Sequence, residues 1–192
     1  YFETSDTSLE DASIEKLDRI CRKLDLSADD RVIEIGTGWG GFAIHAAKHY
    51  GCHVTTTTIS RQQYEWAERA IRDEGLEDRI TLLFEDYRDL EGTYDKLVSL
   101  EMIEAIGADY LPQYFAQCDR LLKPEGMALV QAITIADQRY RNGIDSMLTR
   151  LDAGHEDVPV LEGPVRIRVE LEHPGRPVVV GAVEEQQLDR RR

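Results

Sequence analysis

Residues 32–41 read VIEIGTGWGG, a short apolar run that leads directly into a cluster of glycines. The run RVIEI at Arg31–Ile35 is rich in β-branched residues and ends at glycine, which predicts a strand. The following GFAIHAAKHY at Gly41–Tyr50 predicts a helix, so the glycines form a strand-to-helix turn. A turn without side chains lets a ligand approach the backbone closely, although a purely structural turn is the alternative.

Strand-like and helix-like segments alternate on both sides of this turn. A helix is predicted after a capping Ser8, further helices at residues 61–75 and 110–126, and further strands at 53–59, 79–84, 96–100 and 127–135. Alternation at this spacing predicts an α/β fold with a mostly parallel sheet covered by helices on both faces. Ligands of such sheets bind beyond the carboxyl ends of the strands, where the glycine turn lies.

The composition changes after about residue 151. Residues 152–192 contain no aromatic residue, no Lys, no Ser and no Thr, but four of the six prolines. We therefore predict one domain over residues 1–151 and a divergent tail over residues 152–192. The alternating pattern of residues 165–172 and the run at 177–183 predict that the tail completes the sheet as an antiparallel hairpin. A tail that is foreign to this fold is the alternative.

The charge and the cysteines exclude several classes of protein. A formal net charge of −14 argues against nucleic acid as a partner, because binding a duplex requires clustered Lys and Arg. No apolar run is long enough to span a membrane and no secretory signal is visible, which predicts a cytoplasmic protein. Cys21, Cys52 and Cys118 lack the spacing of metal ligands, so we expect reduced, buried thiols and no metal site.

The glycine turn does not fit a phosphate-binding site. A P-loop requires Gly-Lys followed by Ser or Thr, and none is present. Gly36, Gly38 and Gly41 match the spacing of the dinucleotide fingerprint. That fingerprint expects an acid at the end of the second strand, whereas this strand ends in TTTTIS. The turn therefore favours a nucleoside ligand other than NAD.

Polar residues at successive strand ends point to one ligand class. Glu34 is placed to fix the loop by accepting backbone N–H groups, and Asp86 to accept from an exocyclic amino group. Tyr87 offers its ring to a purine. Taken alone, Asp86 is as well explained as a turn residue and Tyr87 as core packing. Together with a neutral glycine loop they indicate the S-adenosylmethionine (SAM) site of a Rossmann-like class I methyltransferase.

Four longer segments then identify a family resemblance: RVIEIGTGWGGFAIHAA, VTTTTISRQQYEWA, EDYRDLEGTYDKLVSLEMIEAIG and YFAQCDRLLKPEG. Together they resemble the cyclopropane-fatty-acyl-phospholipid synthase family, which includes the mycolic acid cyclopropane synthases, over residues 1–144. The resemblance implies that residues 1–151 bind SAM. It also implies methyl or methylene transfer to the cis double bond of an unsaturated phospholipid acyl chain, by a protein peripheral to the membrane.

The resemblance also assigns site residues. It implies that the cofactor is lined by Gly36, Thr37, Gly38, Trp39, Gly40, Thr58, Ile59, Gln63, Asp86 and Tyr87. Glu104, in MIEAIG, matches a catalytic glutamate that holds a bicarbonate ion, the base that takes a proton as the ring closes. A solvated carboxylate at a helix start is the alternative for Glu104.

The chain departs from the family pattern at several places. Ala105 and Gln131 stand where the family has histidines, and residues 152–192 match nothing in it. The family's Tyr-Ser segment would lie before residue 1, so the resemblance implies a chain truncated at both ends and a transferase impaired by that truncation. A small-molecule amine N-methyltransferase and a cofactor-binding remnant without turnover are the alternative functions.

Overall fold

A computed structural model of the chain describes residues 7–133 and 178–183. The strands are β1 (Arg31–Ile35), β2 (His53–Thr57), β3 (Ile80–Leu83), β4 (Tyr94–Leu100), β5 (Leu122–Ile133) and β6 (Val178–Val183). The α-helices are α1 (Leu9–Lys23), α2 (Gly41–Tyr50), α3 (Arg61–Asp73) and α4 (Leu111–Leu121), and short 3-10 helices occupy Tyr87–Asp89, Ile103–Ala105 and Ala108–Tyr110.

The described strands form one six-stranded sheet in the order β3-β2-β1-β4-β5-β6, and every neighbouring pair is parallel. This confirms the predicted parallel α/β sheet. Strand β1 lies between β2 and β4, so the strand order reverses direction at β1. Such a switch point opens a crevice beyond the carboxyl ends of the strands, and the glycine loop follows β1 there.

Helices cover both faces of the sheet, as predicted. Residues of α1, α2 and α3 pack on one face in a cluster that contains Phe42 and Ile71. The other face packs against α4 through Tyr114 and Leu121. Among the described residues, no helix is both long enough and apolar enough to cross a bilayer.

The three cysteines are buried free thiols, as the sequence predicted. Burial raises the pKa of the Cys21 and Cys118 thiols to about 12 and that of Cys52 to about 11. A thiol that keeps its proton is a poor nucleophile, so these cysteines contribute packing rather than chemistry.

Side-chain caps explain where two of the helices begin. Ser8 accepts a hydrogen bond from the N–H of Asp11 at the start of α1, as predicted. Ser60 accepts one from the N–H of Gln63 at the start of α3. Each bond satisfies a backbone donor that has no partner within its helix.

The predicted helix over residues 110–126 is wrong at its carboxyl end. Helix α4 stops at Leu121, and Leu122 is already extended and pairs with Tyr94 of β4. Pro124 disfavours the helical conformation of the residue before it, which ends the helix early. The next paired residue of β5 is Met127, opposite Lys96, so residues 123–126 form an irregular bulge.

The tail contributes β6, which extends the sheet in parallel beside β5. The predicted partner of this segment, residues 165–172, lies outside the described residues, and so does the proposed hairpin turn. The boundary between a domain at residues 1–151 and a tail at 152–192 stays a prediction.

Candidate active site

The glycine loop has a backbone that requires glycine at several positions. Gly36, Gly38 and Gly40 have φ angles of 98°, 53° and 88°, a region that side chains with a Cβ rarely adopt. The N–H groups of Gly36 and Thr37 both donate to the carbonyl of Thr57, which ties the loop to the end of β2. A Cβ on Gly38 would meet no atom within 4 Å. The loop therefore presents bare backbone to open space.

Glu34 supports the loop from below, but not through the contact that the sequence predicted. It is 2% exposed and accepts a 2.6 Å hydrogen bond from the Thr56 hydroxyl, not from a backbone N–H of the loop. The reason is the strand register, which sets Glu34 directly beside Thr56. The Thr56 and Thr37 hydroxyl oxygens are 2.7 Å apart, so a chain of hydrogen bonds leads from Glu34 to the loop.

Burial raises the pKa of Glu34 to about 8, although the hydrogen bond from Thr56 acts in the opposite direction. A carboxyl group that is almost fully enclosed loses its hydration, which disfavours the charged form. Glu34 is therefore mainly protonated at neutral pH. It acts as a neutral hydrogen-bonding group beneath the loop.

The predicted Thr58–Gln63 pair is brought together at the start of α3. The Thr58 hydroxyl donates to Gln63 Oε1 over 3.0 Å and accepts from the N–H of Ser60 over 3.1 Å. Between them in the sequence, Ile59 is 73% exposed. The end of β2 thus offers an amide and an apolar side chain next to the glycine loop.

Asp86 acts as a turn residue, which was the alternative interpretation of its position in the sequence. Its carboxylate accepts from the N–H of Arg88 over 3.0 Å and from the Arg88 guanidinium over 2.8 and 2.7 Å. The hydrogen bonds from the Arg88 side chain hold the pKa of Asp86 below its usual range, so the group stays ionised. A further contact of Asp86 with an adenine stays a prediction.

The aromatic residues predicted at the site face protein neighbours. Tyr87 is half-buried and packs edge-on against Tyr114, with ring centroids 5.5 Å apart. Trp39 is 58% exposed and lies edge-on against Trp66 of α3, at a centroid distance of 6.0 Å. The Trp39 backbone belongs to the loop, whereas its ring extends toward α3.

Polar side chains gather at the ends of β4 and β5. Glu104 is half-buried in the 3-10 helix that follows β4, and Gln131 is a 4% exposed residue of β5. Gln131 Nε2 donates to Glu101 Oε1 over 2.8 Å, and Lys16 Nζ of α1 donates to the same oxygen over 2.6 Å. Met102 lies against the glycine loop, since its Cγ is 3.3 Å from where a Cβ on Gly36 would be.

Glu101 and Lys16 were not among the residues predicted from the sequence. Glu101 could have been found, because it is an acid directly after a strand at the edge where ligands bind. Lys16 carries no such signal, because it lies 85 positions earlier on a helix.

A surface cavity of about 330 Å³ lies at the opposite, amino edge of β1, β2 and β3. Its lining includes Arg31, His53 and Arg79 but no carboxylate. Ligands of parallel sheets bind at the carboxyl edge, so we do not assign the reaction to this cavity.

The residues at the carboxyl edge fit S-adenosylmethionine. The loop has no Lys or Arg between Gly36 and Gly41, and it offers open space above Gly38 for close approach. Such a loop suits the amino-acid end of a nucleoside better than a phosphate, which needs compensating positive charge. The amide of Gln63 and the ionised Asp86 add polar groups at neighbouring strand ends.

Comparison with known proteins supports the same interpretation of the site. The family model of mycolic acid cyclopropane synthetase matches residues 1–151. The cyclopropane-fatty-acyl-phospholipid synthase of Escherichia coli (strain K12) is 44% identical over 133 residues, which are 69% of this chain and 34% of that protein. The chain thus spans about a third of the length of the curated relatives it matches.

Two solved structures have a similar fold. The cyclopropane synthase MmaA2 from Mycobacterium tuberculosis gives a TM-score of 0.68 at 26% identity, covering 73% of this chain and 50% of that one. The mycolic acid cyclopropane synthase CmaA1, complexed with SAH and CTAB, gives a TM-score of 0.64 at 26% identity, covering 68% of this chain and 46% of that one.

Proposed function

Because the chain belongs to the mycolic acid cyclopropane synthetase family, we propose that it transfers a methyl or methylene group from SAM to the cis double bond of an unsaturated phospholipid acyl chain. The observation that carries this proposal is the 44% identity with the E. coli cyclopropane-fatty-acyl-phospholipid synthase. The family match over residues 1–151 includes the glycine loop and the ends of β1, β2, β3 and β4.

In this proposal the carboxyl edge holds the cofactor, which supplies an electrophilic methyl group on a sulfonium. The loop from Gly36 to Gly40 receives the amino-acid end, where bare backbone allows close approach. Thr58, Ile59 and Gln63 contact the nucleoside, and Asp86 and Tyr87 flank the adenine. The complex of CmaA1 with SAH, the demethylated form of SAM, supports a cofactor of this class.

The reaction places two demands on the chain's own residues. A cis alkene is a weak neutral nucleophile, so the acyl chain must be held close to the methyl group in a site that excludes water. Positive charge then develops on the acyl chain, and ring closure requires loss of a proton. We assign Glu104 to hold a bicarbonate ion by accepting a hydrogen bond from the hydroxyl group of that ion. The bound ion would supply a base beside the double bond.

The lipid partner is proposed on the same basis. CTAB, which occupies the CmaA1 structure together with SAH, is a single long alkyl chain with a cationic head. Trp39 and Ile59 at the carboxyl edge are each more than half exposed, and Leu9 on α1 is 75% exposed. Exposed apolar side chains of this kind favour peripheral contact with a lipid surface, where the substrate resides.

The proposal is tested by expressing the chain in bacteria that lack their own cyclopropane synthase. Mass spectrometry of the extracted phospholipids should show acyl chains that have gained one CH₂, and magnetic resonance of the same extract separates a cyclopropane ring from a branched alkene of the same mass. Gly38→Val serves as the matched negative control. If the wild-type chain is folded and binds SAH but the lipids gain nothing, acyl-chain transfer by these 192 residues is excluded. Methylation of added amines then separates the N-methyltransferase alternative from a cofactor-binding remnant without turnover.

A further inference from the structure

Glu101 has an unusual backbone at the carboxyl end of β4. Its φ angle is 55°, a left-handed conformation that is uncommon for residues other than glycine and asparagine. Its N–H donates to the carbonyl of Gln131 over 2.9 Å, which holds this conformation against its cost. Strained residues that are held by their surroundings cluster at ligand-binding and catalytic sites. The strained backbone therefore makes Glu101 a candidate site residue.

The Glu101 carboxylate is fixed through one of its two oxygens. Within residues 7–133, the donors Lys16 Nζ and Gln131 Nε2 both reach Oε1, at 2.6 and 2.8 Å. The side chain is 41% exposed, so its charge is only partly shielded by protein. A carboxylate held in one orientation on the open edge of the sheet is placed to act on whatever binds there.

Glu101 lies on the side of the proposed site where the acceptor binds, rather than where the adenosine binds. Met102, the next residue, packs against Gly36 at the start of the glycine loop. Glu104 follows in the 3-10 helix of the same segment. The residues proposed for the adenosine, by contrast, follow β2 and β3. Glu101 therefore lies near the sulfonium end of the proposed cofactor, where the acceptor must come.

We propose that Glu101 presents a negative charge to the acceptor side of the site and so favours a cationic centre there. This inference rests on the proposed function, in which positive charge develops on the acyl chain during methyl transfer. A preorganised group of opposite charge lowers the energy of that charge more effectively than water does. Lys16 acts in the opposite direction, because its ammonium group neutralises part of the same carboxylate.

Two variants distinguish this role from that of a structural tether. Glu101→Gln keeps the volume and an acceptor oxygen for Lys16 and Gln131 but removes the charge. Lys16→Met keeps the length of the side chain and removes the competing cation. A tether would be weakened in both variants, because Glu101→Gln reduces the ion pair to a neutral hydrogen bond and Lys16→Met removes it, so both would change binding in the same direction. A charge presented to the site predicts opposite directions.

The probe is dodecyltrimethylammonium, a cationic amphiphile, added as monomers to the full chain in the presence of SAH. Dodecyldimethylamine oxide is the control, since it has the same alkyl chain and nearly the same head but no net charge at pH 8. Calorimetry should show cationic binding weakened about fivefold by Glu101→Gln and strengthened by Lys16→Met, the size expected of an exposed ion pair. The neutral probe should bind all three proteins alike.

Every other result contradicts a specific part of the proposal. If both variants shift the cationic probe in the same direction, or neither shifts it, the charge role of Glu101 is wrong while the acyl-chain site stands. If both probes respond equally, the effect is structural and the assignment fails again. If neither amphiphile binds the wild-type chain although SAH does, the acyl-chain site of the proposed function is absent and this inference falls with it.

Discussion

The hydroxyl group of Thr56 donates a 2.6 Å hydrogen bond to the buried carboxyl group of Glu34. Because that proton is used, the second contact of Thr56 must be a hydrogen bond that it accepts from Thr37, at 2.7 Å. The loop residue Thr37 is therefore connected through β2 to an acid inside the sheet. The stability of the loop should depend on the state of that acid.

We expect Glu34 to make the fold less stable as the pH rises toward 8. The folded protein holds this proton up to about pH 8, whereas an unfolded glutamate loses it near pH ~4.3. Between these values the unfolded state binds fewer protons, so the free energy of unfolding falls, by at most about 1.4 kcal/mol per pH unit. Glu34→Gln cannot titrate, so its stability relative to wild type should improve steadily from pH 5 to pH 8.

Denaturant unfolding of both proteins at several pH values measures this difference. His45, whose burial lowers its pKa, is common to both proteins and cancels in the comparison. Parallel stability curves for wild type and Glu34→Gln would show that Glu34 is ionised in the folded protein.

Replacing Gly38 with Val should abolish binding of SAH. Val must adopt a φ near 53° at this position, and its branched side chain would fill the open space above the loop. Gly41→Ala is the matched control, because the space around Gly41 is also open but its φ lies outside the left-handed region. Calorimetry should show near-normal binding for Gly41→Ala and none for Gly38→Val. Equal affinities would remove the loop from the cofactor site.

The charge of Asp86 should contribute to SAH binding, whereas Arg88 should contribute only by keeping the Asp86 side chain in place. Asp86→Ala removes the acceptor for an adenine amino group and should weaken SAH binding about tenfold or more. Arg88→Met removes the guanidinium, but the Arg88 N–H still donates to Asp86 and keeps it in place. We expect a loss of less than about threefold for Arg88→Met. If both variants lose the same affinity, Asp86 acts as a turn residue alone.

Glu104→Gln should separate catalysis from cofactor binding. An amide has one acceptor oxygen where a carboxylate has two, so it holds the bicarbonate hydroxyl less well. Lipid methylation should fall by about 10²–10⁴, the usual worth of a positioned base, while the affinity for SAH stays within about twofold. Added bicarbonate should stimulate the wild-type protein more than the variant. Wild-type activity that is independent of bicarbonate would contradict this role for Glu104.

The elements nearest the glycine loop were predictable because their signals are local. Strand β1 and helix α2 have the predicted bounds, since a β-branched run, left-handed glycines and an Ala-rich segment follow one another. The join between α4 and β5 was predictable only in part, because Pro124 indicates that the helix ends before it but not that Leu122 is already extended. Leu122 is extended because it pairs with Tyr94, a contact between residues far apart in the sequence.

The sequence by itself determined the parallel α/β class, the glycine loop at the end of β1 and the family. These depend on residue types at short spacings, through backbone preferences that act within a few residues. Only the tertiary structure decided which partners Glu34 and Glu101 contact. The register of β1 and β2 puts Glu34 beside Thr56, and the packing of α1 brings Lys16 to Glu101 across 85 positions. A hydrogen bond or an ion pair depends on distances of about 3 Å, which only the folded arrangement sets.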